Sequence, residues 1–557
     1  MNKKYFLVRA LAAVTLLPGC SDEFLNRPPQ DTLVDINFYK NNDQVLASTA
    51  PLYSAVWKDY VDKASHNLGD FRAGTAIRAW GDRDNVLFNT SEVSTANSEA
   101  YRAFYIVVGQ SNMALQNITK YAGPDVTEDV KNHALAEARF MRATAYSLLV
   151  SNYGPVPIIE NNVALLGDSS LTRNTVESVW EFITRDYQFA AENLKPTPVQ
   201  PGRLTKWSAE GMLARTYLTR AGVESAGGVR KQEYLDKAKE HAERVITMSG
   251  KSLLPKYEDL FKFPYDNNNE SLFEQQWVFT TDYGYANTMV SQITYSNDIA
   301  NGDGWGGDIS ASLWMLGLYD GLLETGFTVD QRLKATFMLP GFHYPEISQT
   351  VRDAQGKEGE QELVFPAPGA TSDFNYANVK KYVVGKAKDV GGQAGTQRYP
   401  NNTYMLRLAE MYLIYAEAAL GNGASTADGK ALAYFNQVHT RAGLPVFEGP
   451  LTWDAVFEER TKEFAFEGLA WYDLVRLHYY NPQKAYAIIN GQDRGLFVVK
   501  PDRMPNPTKW TFTPTSWFAD RRANANSGNF LLPIPASEAS QAPNLRKPPV
   551  PYNFDGK

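Results

Sequence analysis

The sequence predicts a mainly α protein, a scaffold of paired helices carrying a loop-rich insertion with a few short strands. Three observations predict it. Apolar residues recur at the helical period over long stretches. Small residues recur at matching places in three of those helices. The residues from about 262 to 399 have another character, rich in Gly, Asn, Asp and aromatics with only short apolar runs.

The first element is Met1–Asn2–Lys3–Lys4 with the short apolar stretch Ala10 to Leu17, which reads as a secretory signal over residues 1–19. It is far too short to span a bilayer, and no other segment offers the ~18 uninterrupted apolar residues of a spanning helix. Leu17–Pro18–Gly19–Cys20 resembles a bacterial lipoprotein signal, in which the cysteine becomes the acylated first residue. The acidic residues that follow resemble a surface-export signal. Residues 20–36 are polar, contain Pro28–Pro29, and read as a lipidated tether.

A single body over 37–557 follows, with helical scaffold over about 37–261 and 400–484 and loop-rich regions over about 262–399 and 485–557. Val130, Ala134, Ala138, Met141, Ala145 and Leu148 mark one helical stripe, and Thr127 is placed to cap it. Val179, Ile183, Tyr187 and Leu194 mark a second, with Thr175 as its cap. Met405, Leu408, Tyr412, Tyr415 and Ala419 mark a third, stopped by Gly421–Asn422–Gly423. Ala136–Glu137, Ala209–Glu210 and Ala409–Glu410 open one shared pattern, with Ala143, Thr216 and Ala416 further on. Small residues at that spacing let antiparallel helices approach closely, as in tetratricopeptide-like hairpins.

Composition excludes several chemistries. One cysteine in 557 residues forbids an intrachain disulfide, a multi-cysteine zinc site or an iron–sulfur cluster. A formal charge of −7 without a basic stripe argues against nucleic acid as a partner. No His-Glu-x-x-His, nucleophile elbow or Walker loop occurs, and neither cofactor nor metal is implied. Gly302, Gly304 and Gly307 match Gly-x-Gly-x-x-Gly but lack the βαβ context of a dinucleotide site. Asp266–Asn267–Asn268–Asn269–Glu270 offers oxygens without an EF-hand glycine and reads as a polar turn, with calcium ligation the alternative. Glu459, Glu463 and Glu467 follow at i, i+4 beside Arg460 and Lys462, and read as an ion-pair network on one helix face. Glycoside hydrolysis by Glu463 and Glu467 is the alternative.

Ala134 to Tyr146, continuing to Asn152–Tyr153–Gly154–Pro155–Val156–Pro157, resembles the SusD/RagB family. So do Arg203 to Leu218, Asn269 to Glu274, Leu406 to Glu410, Asn436 to Pro445, Glu459 to Asp473, and Leu532–Pro533–Ile534–Pro535 with Glu538. These motifs run in the family's order over roughly residues 20 to 550. The resemblance implies a Bacteroidetes outer-membrane lipoprotein, lipid-anchored through Cys20 and exposed on the cell surface. It implies oligosaccharide binding, or peptide binding in some members, and delivery to a SusC-like TonB-dependent transporter. It also implies no catalysis.

A sugar presents an apolar C–H face and a girdle of hydroxyls, so its site needs aromatic platforms and planar polar side chains. The chain holds 11 Trp, 31 Tyr and 28 Phe. Two loop-like stretches combine both requirements: Trp80, Arg83, Asp84 and Asn85; and Tyr283, Tyr285, Tyr295, Asn297, Asp298 and Trp305. Packing of the scaffold is the competing role for these rings, above all for Trp305 in its Gly-rich turn. Trp207, Trp277, Trp314, Trp453 and Trp471 are expected in the core.

Overall fold

Thr127 accepts the Val130 amide on its Oγ1 and Thr175 accepts that of Ser178, so both predicted helices start where their caps stand. The computed structural model describes residues 38–81, 83–165, 169–366, 377–516 and 520–555. The signal at 1–19, Cys20 and the tether at 20–36 lie outside them. Helices of eight or more residues are numbered in chain order: α1 Asn42–Thr49, α2 Thr95–Tyr121, α3 Glu128–Tyr153, α4 Val176–Asn193, α5 Lys206–Val223 and α6 Gln232–Met248. They continue with α7 Leu408–Leu420, α8 Gly429–Arg441, α9 Trp453–Glu463, α10 Leu469–Tyr480 and α11 Pro482–Gly491.

Each of α2 through α8 packs on the next, α6 against α7 included, although some 160 residues separate those two in the chain. The insertion therefore leaves and re-enters the array between neighbours, and the helical stack runs on without a gap. This mainly α architecture is the one predicted. The shared glutamates lie inside it. Glu137 is 2.9 Å from Arg203, Glu210 meets His241 at 2.6 Å, and Glu410 accepts from Arg215 at 3.0 Å and Arg460 at 3.2 Å. Small neighbours admit the adjacent helix, and each carboxylate is paired at a depth where an unpaired charge would be costly.

Two expectations about element boundaries are corrected. Met405 lies in strand β8, Thr403–Arg407, because that segment pairs antiparallel with β2, Ser271–Gln275, and only then turns into α7. Glu467 lies beyond the end of α9, because the chain leaves the helix at Phe464, φ −107° and ψ 13°, and then turns left-handed at Phe466, φ 60°. The α7 stop stands as expected, with Gly421 at φ 59°.

The insertion holds the strands that frame the site. A four-stranded antiparallel sheet runs in the order β1 (Ala76–Arg78), β3 (Ile309–Ala311), β7 (Asn378–Val379), β4 (Phe337–Met338). Its first ladder pairs Ala76 with Ala311 and Arg78 with Ile309. One hairpin is longer than the few short strands expected, with β5 His343–Arg352 against β6 Glu358–Val364. One large core spans scaffold and insertion. A small one of Val290, Val384, Val390, Ala394 and Tyr399 lies under the loops. Trp277 and Trp471 are buried as expected, whereas Trp207, Trp314 and Trp453 are half-buried at the core's margin. Among the described residues no helix is long and apolar enough to cross a membrane.

Candidate binding site

The β1–β3 ladder delivers Trp80. One residue past its last pair, the Ala79 amide donates to the Asp308 carbonyl at 2.8 Å, and Arg78 Nε lies 3.2 Å from the Asp308 carboxylate. Burial raises the Asp308 carboxyl, opposed by Arg78. Trp80 thus emerges beside the turn that carries Trp305, and the two residues are 45% and 46% exposed.

The glycines around Trp305 serve packing rather than phosphate binding. A Cβ on Gly304 would meet the Ser296 carbonyl carbon at 2.2 Å, and one on Gly306 the Ile293 carbonyl carbon at 2.3 Å. The turn lies flat on residues 291–297, with the Trp305 amide donating to the Ser291 carbonyl at 3.0 Å and the Gly306 amide to Thr294 at 2.8 Å. Packing thus accounts for the Trp305 backbone, as its Gly-rich turn suggested, while its ring faces outward.

The other expected residues divide. Tyr283 and Tyr285, 45% and 41% exposed, stand on a single turn capped by Asp282, whose Oδ1 accepts the Gly284 amide at 2.9 Å. Tyr295 is half-buried, edge-on to Phe365 with 4.9 Å between ring centroids. Asn297 is exposed but uses Oδ1 to accept the Gly304 amide at 2.7 Å, and Asp298 pairs with Arg352 at 3.1 Å. The short helix Asp84–Leu87 turns its polar residues inward. Asn85 is buried and accepts from Thr90, Asp84 accepts from Ser94 at 3.0 Å, and Arg83 donates to the carbonyls of Arg494 and Asp520.

Three residues of this surface, Phe279, Arg352 and Arg398, are absent from the expected set. The Arg398 guanidinium lies 5.5 Å from the Phe279 ring and 5.8 Å from the Tyr283 ring, within cation–π reach, and donates to the Thr280 carbonyl at 3.2 Å. Phe279 belongs to the same aromatic run as Tyr283 and could have been added on that ground. Arg398 lies more than a hundred residues downstream and carries no local signal.

The surface therefore offers outward rings in two groups, Trp80 with Trp305 and Tyr283 with Tyr285 and Phe279, rimmed by Asn297, Asp298, Arg352 and Arg398. Such rings can lie against an apolar face while amide, carboxylate and guanidinium groups bond hydroxyls at its edge. The three glutamates predicted as an ion-pair network are one. Glu459, Glu463 and Glu467 are buried and meet Arg332, Arg407, Arg441 and Lys381. Glu459 is held down at about 2, because Arg332 and His439 outweigh the upward pull of burial. The polar turn at Asp266 is a turn, with Oδ1 accepting the Asn402 amide at 2.9 Å. Among the described residues no group of three His, Cys, Asp or Glu side chains is placed to hold a metal ion.

Comparison with known proteins shows the family. A model described as the SusD family matches residues 269–550, and one described as "Starch-binding associating with outer membrane" matches 23–218. A SusD-like protein of Bacteroides ovatus is 34% identical, covering 99% of this chain and 99% of that protein. The chain belongs to the SusD family. A crystal structure with xylogluco-oligosaccharide superposes at TM-score 0.79 with 32% identity, covering 92% of this chain and 99% of that one. The starch-binding protein SusD of Bacteroides thetaiotaomicron is 22% identical over 76% of this chain and 78% of its own.

Proposed function

We propose that this SusD-family chain binds a neutral oligosaccharide or polysaccharide without cleaving it. In this reading it is anchored at the outer membrane by lipid on Cys20 and hands its ligand to a SusC-like TonB-dependent transporter. One observation carries the reading. Trp80, Trp305, Tyr283 and Tyr285 expose 41–46% of their surface, while Trp57, Trp277 and Trp471 are buried. Large rings left half in water at fixed positions suit an amphipathic ligand that can lie flat on them. The full-length likeness to a relative crystallised with xylogluco-oligosaccharide supports a β-linked plant-wall glucan as the ligand class. The family model that names outer-membrane association supports the location.

Hydrolysis by Glu463 and Glu467 is disfavoured by chemistry. Both carboxylates are sealed from solvent and bonded to arginine or lysine, so neither can reach a glycosidic oxygen. Titration calorimetry with xylogluco-oligosaccharides, laminarin and starch tests the reading. Binding to the first without release of reducing sugar is expected, and absence of binding to all three would overturn it. Cys20→Ser should move the chain from the membrane fraction to the soluble fraction.

A further inference from the structure

Asp303 is fully buried two residues before Trp305, and no ion pair reaches it among the described residues. Four donors converge on its carboxylate. Oδ1 accepts the Asn301 amide at 3.1 Å and the Tyr399 hydroxyl at 3.0 Å. Oδ2 accepts the Gln397 amide at 2.6 Å and a short bond from the Ser291 hydroxyl. A buried anion held only by neutral donors is stable when each lone pair is used, and it binds those donors more tightly than a neutral acceptor would. Burial, with the Asp303 charge beside it, keeps the Tyr399 hydroxyl protonated and able to donate.

The donors come from both sides of the ring surface. Ser291 bonds Asp303 through its hydroxyl and accepts the Trp305 amide on its carbonyl. Gln397 precedes Arg398, the cation against Phe279 and Tyr283, and sits at a left-handed φ of 54° that a non-glycine residue adopts only when held. The hydrogen bond that its backbone N–H donates to Asp303 holds it. Asn301 adds a second tie, donating to the Tyr399 hydroxyl at 3.2 Å while its carbonyl accepts from Thr396.

We infer that Asp303 is the positioning residue of the ligand surface: a buried carboxylate that fixes the Trp305 turn to the Arg398 turn and so sets the two ring groups at one spacing. The inference rests on the glycan-binding reading for its functional arm and on geometry alone for its structural arm.

Asp303→Asn keeps the shape, but its amide nitrogen must face two of the four donors. Hydrogen exchange of the full chain should then accelerate at least tenfold in both 301–306 and 395–399. Calorimetry with xylogluco-oligosaccharide should show affinity down at least tenfold. Trp305→Ala, costly in the wild type, should cost under threefold when added to Asp303→Asn. A remote core variant, Leu235→Ala, destabilised as much, should keep wild-type affinity. Ser291→Ala, which removes one donor and leaves the charge, should lower affinity several-fold with the fold intact. Exchange that rises in one segment only, or Asp303→Asn and Ser291→Ala binding as wild type, would overturn the inference. Should the wild type bind no glycan, the function reading falls, and the exchange result alone decides on Asp303.

Discussion

Arg407 Nη1 lies 2.9 Å from a Glu463 carboxylate oxygen, with the two side chains 1% and 0% exposed. Arg407 also meets Glu270 at 2.6 Å and Glu467 at 2.8 Å, while Glu463 meets Arg441 and Arg332. Burial pushes the Glu463 carboxyl up, but Arg441, Arg407 and Arg332 hold it below its ordinary value. Three segments far apart in the chain, the start of β2, the start of α7 and the end of α9, are joined through these few atoms.

Glu463→Gln therefore leaves arginines buried with too little counter-charge, and a loss of about 3–5 kcal/mol is expected from a broken buried pair. A lowered urea midpoint would show it. Glycan affinity of the folded fraction should be unchanged, because no ring of the ligand surface touches this cluster. A catalytic glutamate would behave in the opposite way, losing activity at constant stability.

Trp80→Ala and Trp305→Ala should each lower oligosaccharide affinity at least tenfold, about 1.4 kcal/mol or more. Their melting temperatures should stay within about 2 °C of wild type, since truncating a half-exposed ring removes little packing. Wild-type affinity in both variants would remove Trp80 and Trp305 from the ligand surface.

The contrast between Thr127 and Arg398 explains what a sequence can disclose. A cap, a helical stripe or a Gly421 stop is decided within a few residues, so each was legible. Trp80 and the Tyr283–Trp305 stretch were legible as candidates because ring and polar edge are adjacent in the chain. Met405 was misplaced because its partner strand lies some 130 residues upstream, and pairing across that distance overrides helical periodicity. Arg398 and Asp303 act through bonds to remote segments, and no local pattern announces them. Arg83, Asp84 and Asn85 had suitable chemistry, but a short helix directs their bonds into the chain.

Gly306→Ala tests whether the Gly-rich turn is a packing device. Its Cβ would stand 2.3 Å from the Ile293 carbonyl carbon, a backbone atom that cannot swing aside. A loss of about 1–3 kcal/mol is expected, accompanied by weaker glycan binding as Trp305 moves. The paired loss distinguishes it from Trp305→Ala, which should affect binding alone. An unchanged melting temperature would show that the turn is not pressed on residues 291–297.

Asp70 offers a pH test with a definite sign. It is buried, and burial pushes its carboxyl from 3.8 up to about 7, only partly offset by bonds from Thr75 and Phe466. A carboxyl raised in the folded state binds its proton more tightly there than in the unfolded chain. Its stabilising contribution is therefore complete below about pH 4 and is lost as pH rises to 7, by at most about 4 kcal/mol. Both donors, Thr75 Oγ1 and the Phe466 amide, bond the same oxygen, Oδ1, at 2.9 Å. An asparagine retains that oxygen and carries no charge. Asp70→Asn should therefore be close to neutral at pH 4 and stabilising at pH 8, with the difference in melting temperature growing between pH 4 and 7. A pH-independent difference would mean that Asp70 is ionised in the folded protein throughout.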